Sequence, residues 1–257
     1  MWAAAQTAAV RELDPASSAA GSTSVCDAAT QWTHPTMLSL VPLLKLKGMF
    51  KAKGGRSRSG TDHDMDDLEM QVVRYKPEGL DALCKTTRFS RKELQMMYRG
   101  FKQECPTGMV NEDTFKDIYA QFFPQGDASQ YAHYVFQLFD QNRNGHISFE
   151  DFVLGLSVLA RGTVTEKLNW AFNLYDINHD GYITKDEMLD IVSSIYDMLG
   201  AYTEPMVEEN TAHDHVEAVF EKMDLNKDGV ITLDEFMECC LKDDAIIRGL
   251  AVLDTVL

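Results

Sequence analysis

The sequence is short of cysteine and of positive charge, and each shortage excludes a class of protein. Its five cysteines among 257 residues are scattered and form no C-x-x-C motif. This argues against a disulfide-stabilised secreted domain and favours a reducing, cytoplasmic compartment. Lys and Arg number only 24 against 40 Asp and Glu. A nucleic-acid surface needs clustered positive charge, so nucleic acid is not expected as a partner.

Motifs of catalysis are also missing from the sequence. It contains no glycine-rich phosphate loop and no nucleophile elbow, and it indicates no pocket of paired carboxylates beyond the acidic loops described below. None of the histidines pairs with cysteine at zinc spacing, so solvated or packed histidine is the favoured interpretation. We therefore expect a protein that is not an enzyme.

Two acidic twelve-residue segments, 176–187 and 224–235, have the spacing of calcium-binding EF-hand loops. Calcium binds six to eight oxygens at about 2.3–2.6 Å, which short Asp and Asn side chains and a bidentate Glu at position 12 supply. The glycine at position 6 permits the sharp turn. The predicted ligands, including a backbone carbonyl at position 7, are Asp176, Asn178, Asp180, Tyr182 and Glu187 in one segment, and Asp224, Asn226, Asp228, Val230 and Glu235 in the other.

The same twelve-residue pattern recurs in weaker form upstream. Position 1 of successive loops falls at Gln103, Asp140, Asp176 and Asp224, a spacing that fits helix–loop–helix units. The sequence therefore predicts an all-α fold of four EF-hands in two pairs, with short β-bridges between paired loops. Capping-box spacing predicts helix starts at two sites, Ser90 with Glu93 and Thr163 with Glu166.

The two upstream loops differ from the downstream loops at position 12. In the first loop Thr114 stands there and Pro106 stiffens the turn, so we expect no metal. In the second loop position 12 is an aspartate, one methylene shorter than glutamate, which favours Mg²⁺ or weak Ca²⁺ binding. The candidate ligands of this second loop are Asp140, Asn142, Asn144, His146 and Asp151.

Charge and composition divide the chain into three predicted regions. Residues 1–60 carry a net charge of +4. Because the whole chain carries −16, residues 61–257 carry −20. Residues 1–60 are rich in Ala, Ser and Thr over much of their length and are predicted to be mostly disordered. The N-terminal EF-hand pair is assigned to 61–160, and the C-terminal pair with a final helix to 161–257.

An apolar and basic segment, 37–58, lies within the first region. Its apolar run is about fourteen residues long, too short for a bilayer span of roughly 20 residues. The basic residues that follow favour an anchor at an anionic membrane surface or a partner-binding segment. An ordinary helix packed on the body is the alternative.

Several longer runs carry a family resemblance. The first loop contains Cys-Pro-Thr-Gly at 105–108, and the runs 119–128, 161–164 and 173–182 are more specific. With a disabled first loop followed by three better ones, the chain resembles the neuronal calcium sensors, and among them the Kv channel-interacting proteins, over roughly 77–257.

This resemblance implies a cytoplasmic auxiliary subunit of A-type, Shal-class voltage-gated potassium channels, peripheral at the plasma membrane. Members of the family hold the channel's N-terminal segment in a hydrophobic groove and clamp neighbouring subunits near the tetramerisation region, which changes surface expression and inactivation. Two alternatives stay open. One is a free calcium sensor acting on membrane receptors or kinases, and the other is a calcium-dependent transcriptional repressor, which the acidic body disfavours.

Large apolar residues between the hands exceed what two closed EF-hand pairs comfortably bury. For any one of them core packing is the ordinary role, but together they favour an open groove for an amphipathic helix. We expect the C-terminal helix, which carries Ile246 and Leu250, to occupy the groove until a partner displaces it. The candidate groove residues are Tyr119, Phe122, Tyr134, Phe152, Leu159, Ile195 and Leu199.

Overall fold

The computed structural model describes residues 79–200 and 211–252, and within these ranges the chain forms ten helices and four short strands. The helices are α1 (Leu80–Thr86), α2 (Arg91–Glu104), α3 (Glu112–Phe122), α4 (Ser129–Phe139), α5 (Phe149–Arg161), α6 (Val164–Tyr175), α7 (Lys185–Leu199), α8 (Thr211–Met223), α9 (Leu233–Lys242) and α10 (Asp244–Val252). The strands are β1 (Met109–Asn111), β2 (His146–Ser148), β3 (Tyr182–Thr184) and β4 (Val230–Thr232).

Four helix–loop–helix units follow one another along this chain. Their loops join α2 to α3, α4 to α5, α6 to α7 and α8 to α9. Antiparallel pairing of β1 with β2 and of β3 with β4 couples the loops two by two. The apolar residues at loop position 8 lie opposite one another, Val110 with Ile147 and Ile183 with Ile231. The predicted all-α fold of paired EF-hands with short β-bridges is confirmed.

Side-chain caps define where the helices begin. The hydroxyl of Ser90 accepts the backbone N–H of Glu93, whose carboxylate in turn accepts the N–H of Ser90. Thr163 and Glu166 form the same reciprocal pair at the start of α6. Both predicted capping boxes are therefore confirmed. Each satisfies backbone donors that the first turn of a helix would otherwise leave without partners.

Aromatic side chains join the two EF-hand pairs into one core. The ring of Phe139 at the end of α4 stacks on Phe152 of α5 at 5.8 Å. The same ring meets Trp170 of α6 edge to face at 6.1 Å. One buried ring thus contacts both pairs, and offset or edge-to-face geometry adds to the hydrophobic gain.

The junction between the pairs is fixed by ion pairs. Arg161, the last residue of α5, donates to both carboxylate oxygens of Glu93 and lies 4.8 Å over the ring of Phe89. Arg88 binds Glu166 at 2.7 Å in a more exposed pair. The first ion pair joins α5 to α2, and the second joins the residues just before α2 to the start of α6, so the two contacts lie on either side of Gly162.

The final helix, α10, packs on the C-terminal pair against α6 and α9. Ile246 and Leu250 have no exposed surface. At its far end the backbone carbonyl of Leu250 accepts a hydrogen bond of 3.1 Å from the ammonium group of Lys167, a lysine only 1% exposed. A cation at a helix C-terminus is favourable, so Lys167 holds α10 in place.

Several predictions fall outside the described residues. They are the disorder of residues 1–60 and the role of the apolar and basic segment 37–58. Within 79–200 and 211–252 no helix combines the length and the apolar character that crossing a bilayer requires. The proposed domain limits stay predictions.

Candidate metal centres

The third loop begins where α6 ends, at the buried residue Asp176. One carboxylate oxygen, Oδ1, accepts the backbone N–H of Asp180 at 3.1 Å. The other, Oδ2, accepts the N–H of Gly181 at 3.0 Å. Both bonds bend the backbone around the Asp176 side chain, as a loop that surrounds a cation requires.

Asn178 and Asp180 continue this turn of the third loop. The side-chain oxygen of Asn178 accepts the N–H of Asp180 at 2.8 Å, and Oδ1 of Asp180 accepts the N–H of Tyr182 at 2.9 Å. Their side chains also contact each other, since Nδ2 of Asn178 donates to Oδ2 of Asp180 at 3.0 Å. Tyr182, whose carbonyl is the predicted position-7 ligand, is the first residue of β3.

Glu187 closes the third loop through its two oxygens. Oε2 accepts the N–H of Thr184 at 2.9 Å and its hydroxyl at 2.7 Å, which caps α7. Oε1 accepts the N–H of Asn178 on the opposite side of the loop at 3.3 Å. The carboxylate therefore spans the loop, with one oxygen on the helix cap and the other near position 3.

The fourth loop repeats this geometry. Oδ2 of Asp224 accepts the N–H of Gly229 at 3.0 Å. Asn226 contacts Asp228 as Asn178 contacts Asp180, with Nδ2 to Oδ2 at 2.9 Å. Oε1 of Glu235 accepts the N–H of Asn226 at 3.2 Å. The backbone N–H of Thr232, followed by its hydroxyl and the N–H of Asn226, lowers the pKa of Glu235, so the carboxylate is ionised at neutral pH.

Glycine at position 6 is required by the backbone in every loop. Gly108, Gly145, Gly181 and Gly229 have φ values of 88°, 77°, 89° and 89°. This left-handed region is costly for residues with a Cβ. Position 4 of the last three loops also has positive φ, at Arg143, His179 and Lys227.

The second loop shares the first half of this geometry. Oδ1 and Oδ2 of Asp140 accept the N–H groups of Asn144 and Gly145 at 3.1 and 2.8 Å. Oδ2 of Asp151 accepts the N–H of Ser148 at 3.0 Å. Within the described ranges, however, no hydrogen bond links Asp151 to the N–H of Asn142. The shorter side chain caps its helix without spanning the loop.

The remaining candidate ligands of the second loop all lie at the surface. Asn142, Asn144 and His146 are exposed, and the N–H of His146 donates to Oδ1 of Asn144 at 2.8 Å. This is the bond that Tyr182 makes to Asp180 in the third loop. The backbone of the second loop is therefore shaped like the calcium loops, and its difference lies at position 12.

The first loop keeps its shape by other contacts. Its Gly108 N–H donates to the carbonyl of Cys105 at 2.9 Å. The side chain of Asn111 caps α3 by accepting the N–H of Thr114 at 2.9 Å. The ammonium group of Lys102 donates to the carbonyl of Pro106. The expected absence of metal here stays a prediction.

The third and fourth loops have the donor chemistry that calcium needs. Each offers carboxylate, amide and backbone carbonyl oxygens and no nitrogen or sulfur ligand, the set a hard cation prefers. Among the described residues no three Asp, Glu, His or Cys side chains form a compact cluster by themselves. The mixed oxygen set of an EF-hand does not depend on such a cluster. The individual ligand assignments stay predictions.

The candidate groove residues lie in the core rather than on an open surface. Tyr119, Phe152, Leu159 and Ile195 are at most 3% exposed. The other three are half-buried: Phe122, Tyr134 and Leu199. They come from α3, α4, α5 and α7, whereas α10 packs mainly on α6 and α9. The structure therefore places the C-terminal helix beside, and not on, the helices that carry these residues.

Two functional contacts were not foreseen from the sequence. One is the bond from Lys167 to the end of α10, and the other is the pairing of Arg161 with Glu93. Both join residues far apart in the chain, and neither has a local sequence signal. A lysine on the apolar face of a predicted helix, as Lys167 is on α6, would have been the one hint.

Comparison with known families identifies the motif. A model of an EF-hand domain pair matches residues 165–241, and an EF-hand model matches residues 132–156. These matches cover the second, third and fourth loops described above. The protein is an EF-hand calcium-binding protein.

Proposed function

We propose that this EF-hand protein is a calcium-regulated auxiliary subunit of Shal-class voltage-gated potassium channels. In this role it binds an apolar helix of the channel's cytoplasmic N-terminus, contacts the tetramerisation region, and changes surface expression and inactivation. The channel itself is suggested by the family resemblance of residues 77–257. The observation that supports helix binding is the packing of α10.

The body of this protein buries an amphipathic helix of its own. Ile246 and Leu250 are completely buried against the C-terminal pair, and Lys167 meets the carbonyl end of α10. A surface that accepts a short internal helix has the shape to accept another of similar character. At about 25 cal/mol per Å², several hundred Å² of apolar contact can offset the entropy cost of association.

The loops that carry the predicted calcium ligands join the helices that form this surface. The third loop joins α6 to α7 and the fourth joins α8 to α9, and α10 packs on α6 and α9. A bound cation supplies positive charge that draws the oxygens of each loop together. Any change in the angle between the helices flanking a loop therefore alters the surface that α10 covers.

The first test removes the internal helix. Deleting residues 243–257 should tighten binding of a peptide from the channel N-terminus, because it uncovers the apolar surface of α6 and α9 that α10 occupies. A milder variant, Lys167→Met, keeps α10 but removes its terminal hydrogen bond, and should tighten binding less. Fluorescence anisotropy of the labelled peptide with calcium-loaded protein measures both. Unchanged or weaker binding in both variants would contradict competition by α10.

The second test addresses the candidate groove. Tyr134→Glu places a charge on a half-buried position of α4 and should weaken binding of the peptide. Leu154→Glu serves as the control, because Leu154 on α5 is already 38% exposed. Equal binding by both folded, calcium-loaded variants would rule out the groove and favour the free calcium sensor. Co-purification with channel subunits from membrane extracts separates these two functions in tissue.

We also propose that the apolar and basic segment 37–58 contacts anionic membrane. Its four basic residues after the apolar run supply attraction to lipid headgroups and a short insertion surface. Deleting residues 1–60 should lower the fraction of protein that floats with phosphatidylserine vesicles. Equal flotation of the two chains would contradict the membrane contact and leave shielding of an apolar surface as the segment's role.

A further inference from the structure

A turn of the N-terminal pair docks on the end of a helix of the C-terminal pair. The turn, residues 124–127, joins α3 to α4, and it contacts residues 197–200 at the end of α7. The backbone N–H of Asp127 donates to the carbonyl of Asp197 at 2.9 Å. We call this the interpair contact.

Two glycines make the interpair contact possible. A Cβ on Gly126 would lie 2.2 Å from the carbonyl oxygen of Met198 and 2.4 Å from that of Asp197. On the other side, Gly200 has a φ of +50°, and a Cβ there would lie 2.4 Å from the carbonyl oxygen of Gln125. These obstacles are backbone atoms, which cannot rotate away as a side chain can. No other residue fits at Gly126 without separating the two segments.

The turn is tied directly to a candidate groove residue. The N–H of Gly126 donates to the carbonyl of Phe123 at 3.3 Å, and the N–H of Phe123 donates to the carbonyl of Tyr119 at 3.2 Å. The rings of Phe123 and Tyr119 are stacked at 6.4 Å with an interplanar angle of 19°. Movement of the turn therefore moves the ring that covers Tyr119.

The hydroxyl of Tyr119 lacks a partner in the closed structure. This group is completely enclosed, and it makes no hydrogen bond with the described residues. Burial raises the pKa of Tyr119 well above its ordinary value, so the hydroxyl keeps its proton and is a donor. A buried donor without an acceptor is unfavourable. The closed arrangement thus carries a cost that an acceptor from outside would remove.

We propose that the interpair contact holds closed the groove lined by the candidate residues of α3, α4 and α7, and that the partner is an apolar helix carrying an oxygen acceptor for the Tyr119 hydroxyl. This deepens the function proposed above and rests on it for the identity of the partner. The closing role of the interpair contact is argued from contacts within this chain and does not depend on which partner binds. Docking of a partner and docking of the turn are then mutually exclusive.

The sharpest test replaces Gly126 by alanine in the full chain. Gly126→Ala should separate the turn from α7, whereas Gly79→Ala, with no atom within 4 Å of the added Cβ, is the matched control. The first probe is anilinonaphthalene sulfonate, a dye that fluoresces on exposed apolar surface. Gly126→Ala should bind the dye more strongly than Gly79→Ala while keeping the helical content of the parent by circular dichroism.

Peptide affinity gives the second readout. If the open form is a minor state of the parent, Gly126→Ala should bind the channel peptide about tenfold more tightly, because the competent fraction rises. Equal dye binding in the two glycine variants overturns the proposal whatever the peptide does. Increased dye binding with no peptide binding in any chain overturns the proposed channel function and leaves the closing role of the contact intact.

A cross-link keeps the test decisive if Gly126→Ala does not fold. The backbone bond between Asp127 and Asp197 places these residues side by side, so the double variant Asp127→Cys/Asp197→Cys can form a disulfide. Oxidation should abolish peptide binding and reduction should restore it, with the parent chain under the same treatments as the control. Equal binding in the oxidised and reduced forms overturns the proposal.

The acceptor is tested by removing one hydroxyl. Tyr119→Phe should raise the melting temperature of the free protein, because the closed form loses its unpaired donor. It should also weaken binding of the peptide, because the peptide's acceptor loses its hydrogen-bond donor. The control is Tyr196→Phe, whose hydroxyl already meets His215 at 3.0 Å. Tighter or equal peptide binding by Tyr119→Phe would show that the partner supplies no acceptor there.

Discussion

The two EF-hand pairs share one backbone design but differ in the residue that ends each loop. In both pairs an antiparallel bridge couples the loops and a glycine with positive φ turns at position 6. Glu187 and Glu235 span their loops from the helix cap to position 3. Asp151 serves only the cap, and Thr114 has no carboxylate.

This comparison separates the fold of the loop from its chemistry. To cap its helix, the residue at position 12 needs one oxygen near the helix start, which aspartate supplies. To span the loop as well, it needs a second oxygen one methylene farther away, which only glutamate reaches. We therefore expect that an EF-hand with aspartate or threonine at position 12 can lack tight calcium binding while its partner loop, its bridge and its core remain intact.

The largest expected effect comes from neutralising the spanning carboxylates. Glu187→Gln and Glu235→Gln should each remove one tight calcium site, with affinity at that loop falling by about 100-fold or more, since a bidentate charged ligand is lost. Titration calorimetry counts the sites, and Glu221→Gln on the exposed side of α8 is the control. Two tight sites persisting in both variants would show that calcium binds elsewhere.

Replacing the glycine at position 6 should have different effects in the two EF-hand pairs. Gly181→Ala and Gly108→Ala introduce a Cβ at nearly equal φ, 89° and 88°, and each should cost about 1–2 kcal/mol of backbone strain. In the third loop that strain should weaken calcium binding, whereas in the first it should lower only the free energy of unfolding. Urea unfolding and calorimetry on both variants check this, and a calcium effect of Gly108→Ala would contradict a purely structural first loop.

Lengthening Asp151 should move the second loop toward the C-terminal type. Asp151→Glu restores the missing methylene and should strengthen calcium binding at the second loop about fivefold. Asp151→Asn removes the negative charge and should weaken metal binding at this loop. Competition between Ca²⁺ and Mg²⁺ in calorimetry separates the two ions. If neither substitution changes the binding, the second loop is held in a shape that does not coordinate.

The ion pair at the junction of the pairs should give the smallest effect. Burial alone would raise the pKa of Glu93, but hydrogen bonds from Arg161 and Ser90 outweigh it and lower the pKa to about 2. Both side chains of the pair are partly exposed, so screening limits the effect of Arg161→Met to about 0.5–1 kcal/mol.

The pH dependence of this effect has a defined sign. The folded pKa of Glu93 lies below its unfolded value of about 4.3, so its stabilisation is complete above that pH and is lost as the pH falls toward about 2. The difference in unfolding free energy between Arg161→Met and the parent should therefore shrink as the pH falls below about 4.3 and disappear only below about pH 2. A difference that does not change with pH would mean that packing on Phe89, and not charge, accounts for the effect.

Local sequence patterns predicted the parts of this structure that are themselves local. The loop positions, the position-8 bridges and the caps at Ser90 and Thr163 depend on residues within one loop or one helical turn. Such short-range geometry repeats whenever the residues do. The all-α fold followed because four such units recur along the sequence.

The long-range contacts could not be predicted in this way. The burial of Tyr119 and Ile195 depends on how α3, α4 and α7 meet, and the predicted groove is closed in consequence. The place of α10 on α6 and α9 depends on a bond from Lys167 across 83 residues. Gly126 gave no signal, because its role comes from the carbonyl of Met198 in the other pair.

The central claim, that tight calcium binding belongs to the C-terminal pair, can be read loop by loop from the amide resonances of the four position-6 glycines. Gly145, Gly181 and Gly229 donate to the first aspartate of their loops, whereas Gly108 donates to Cys105. A cation on that aspartate polarises the bond and shifts the amide proton. Calcium at two equivalents should shift Gly181 and Gly229 to completion, leave Gly108 in place, and move Gly145 only with excess metal. Saturation of Gly145 before Gly181 or Gly229, or any shift of Gly108 that follows calcium stoichiometrically, would contradict the account.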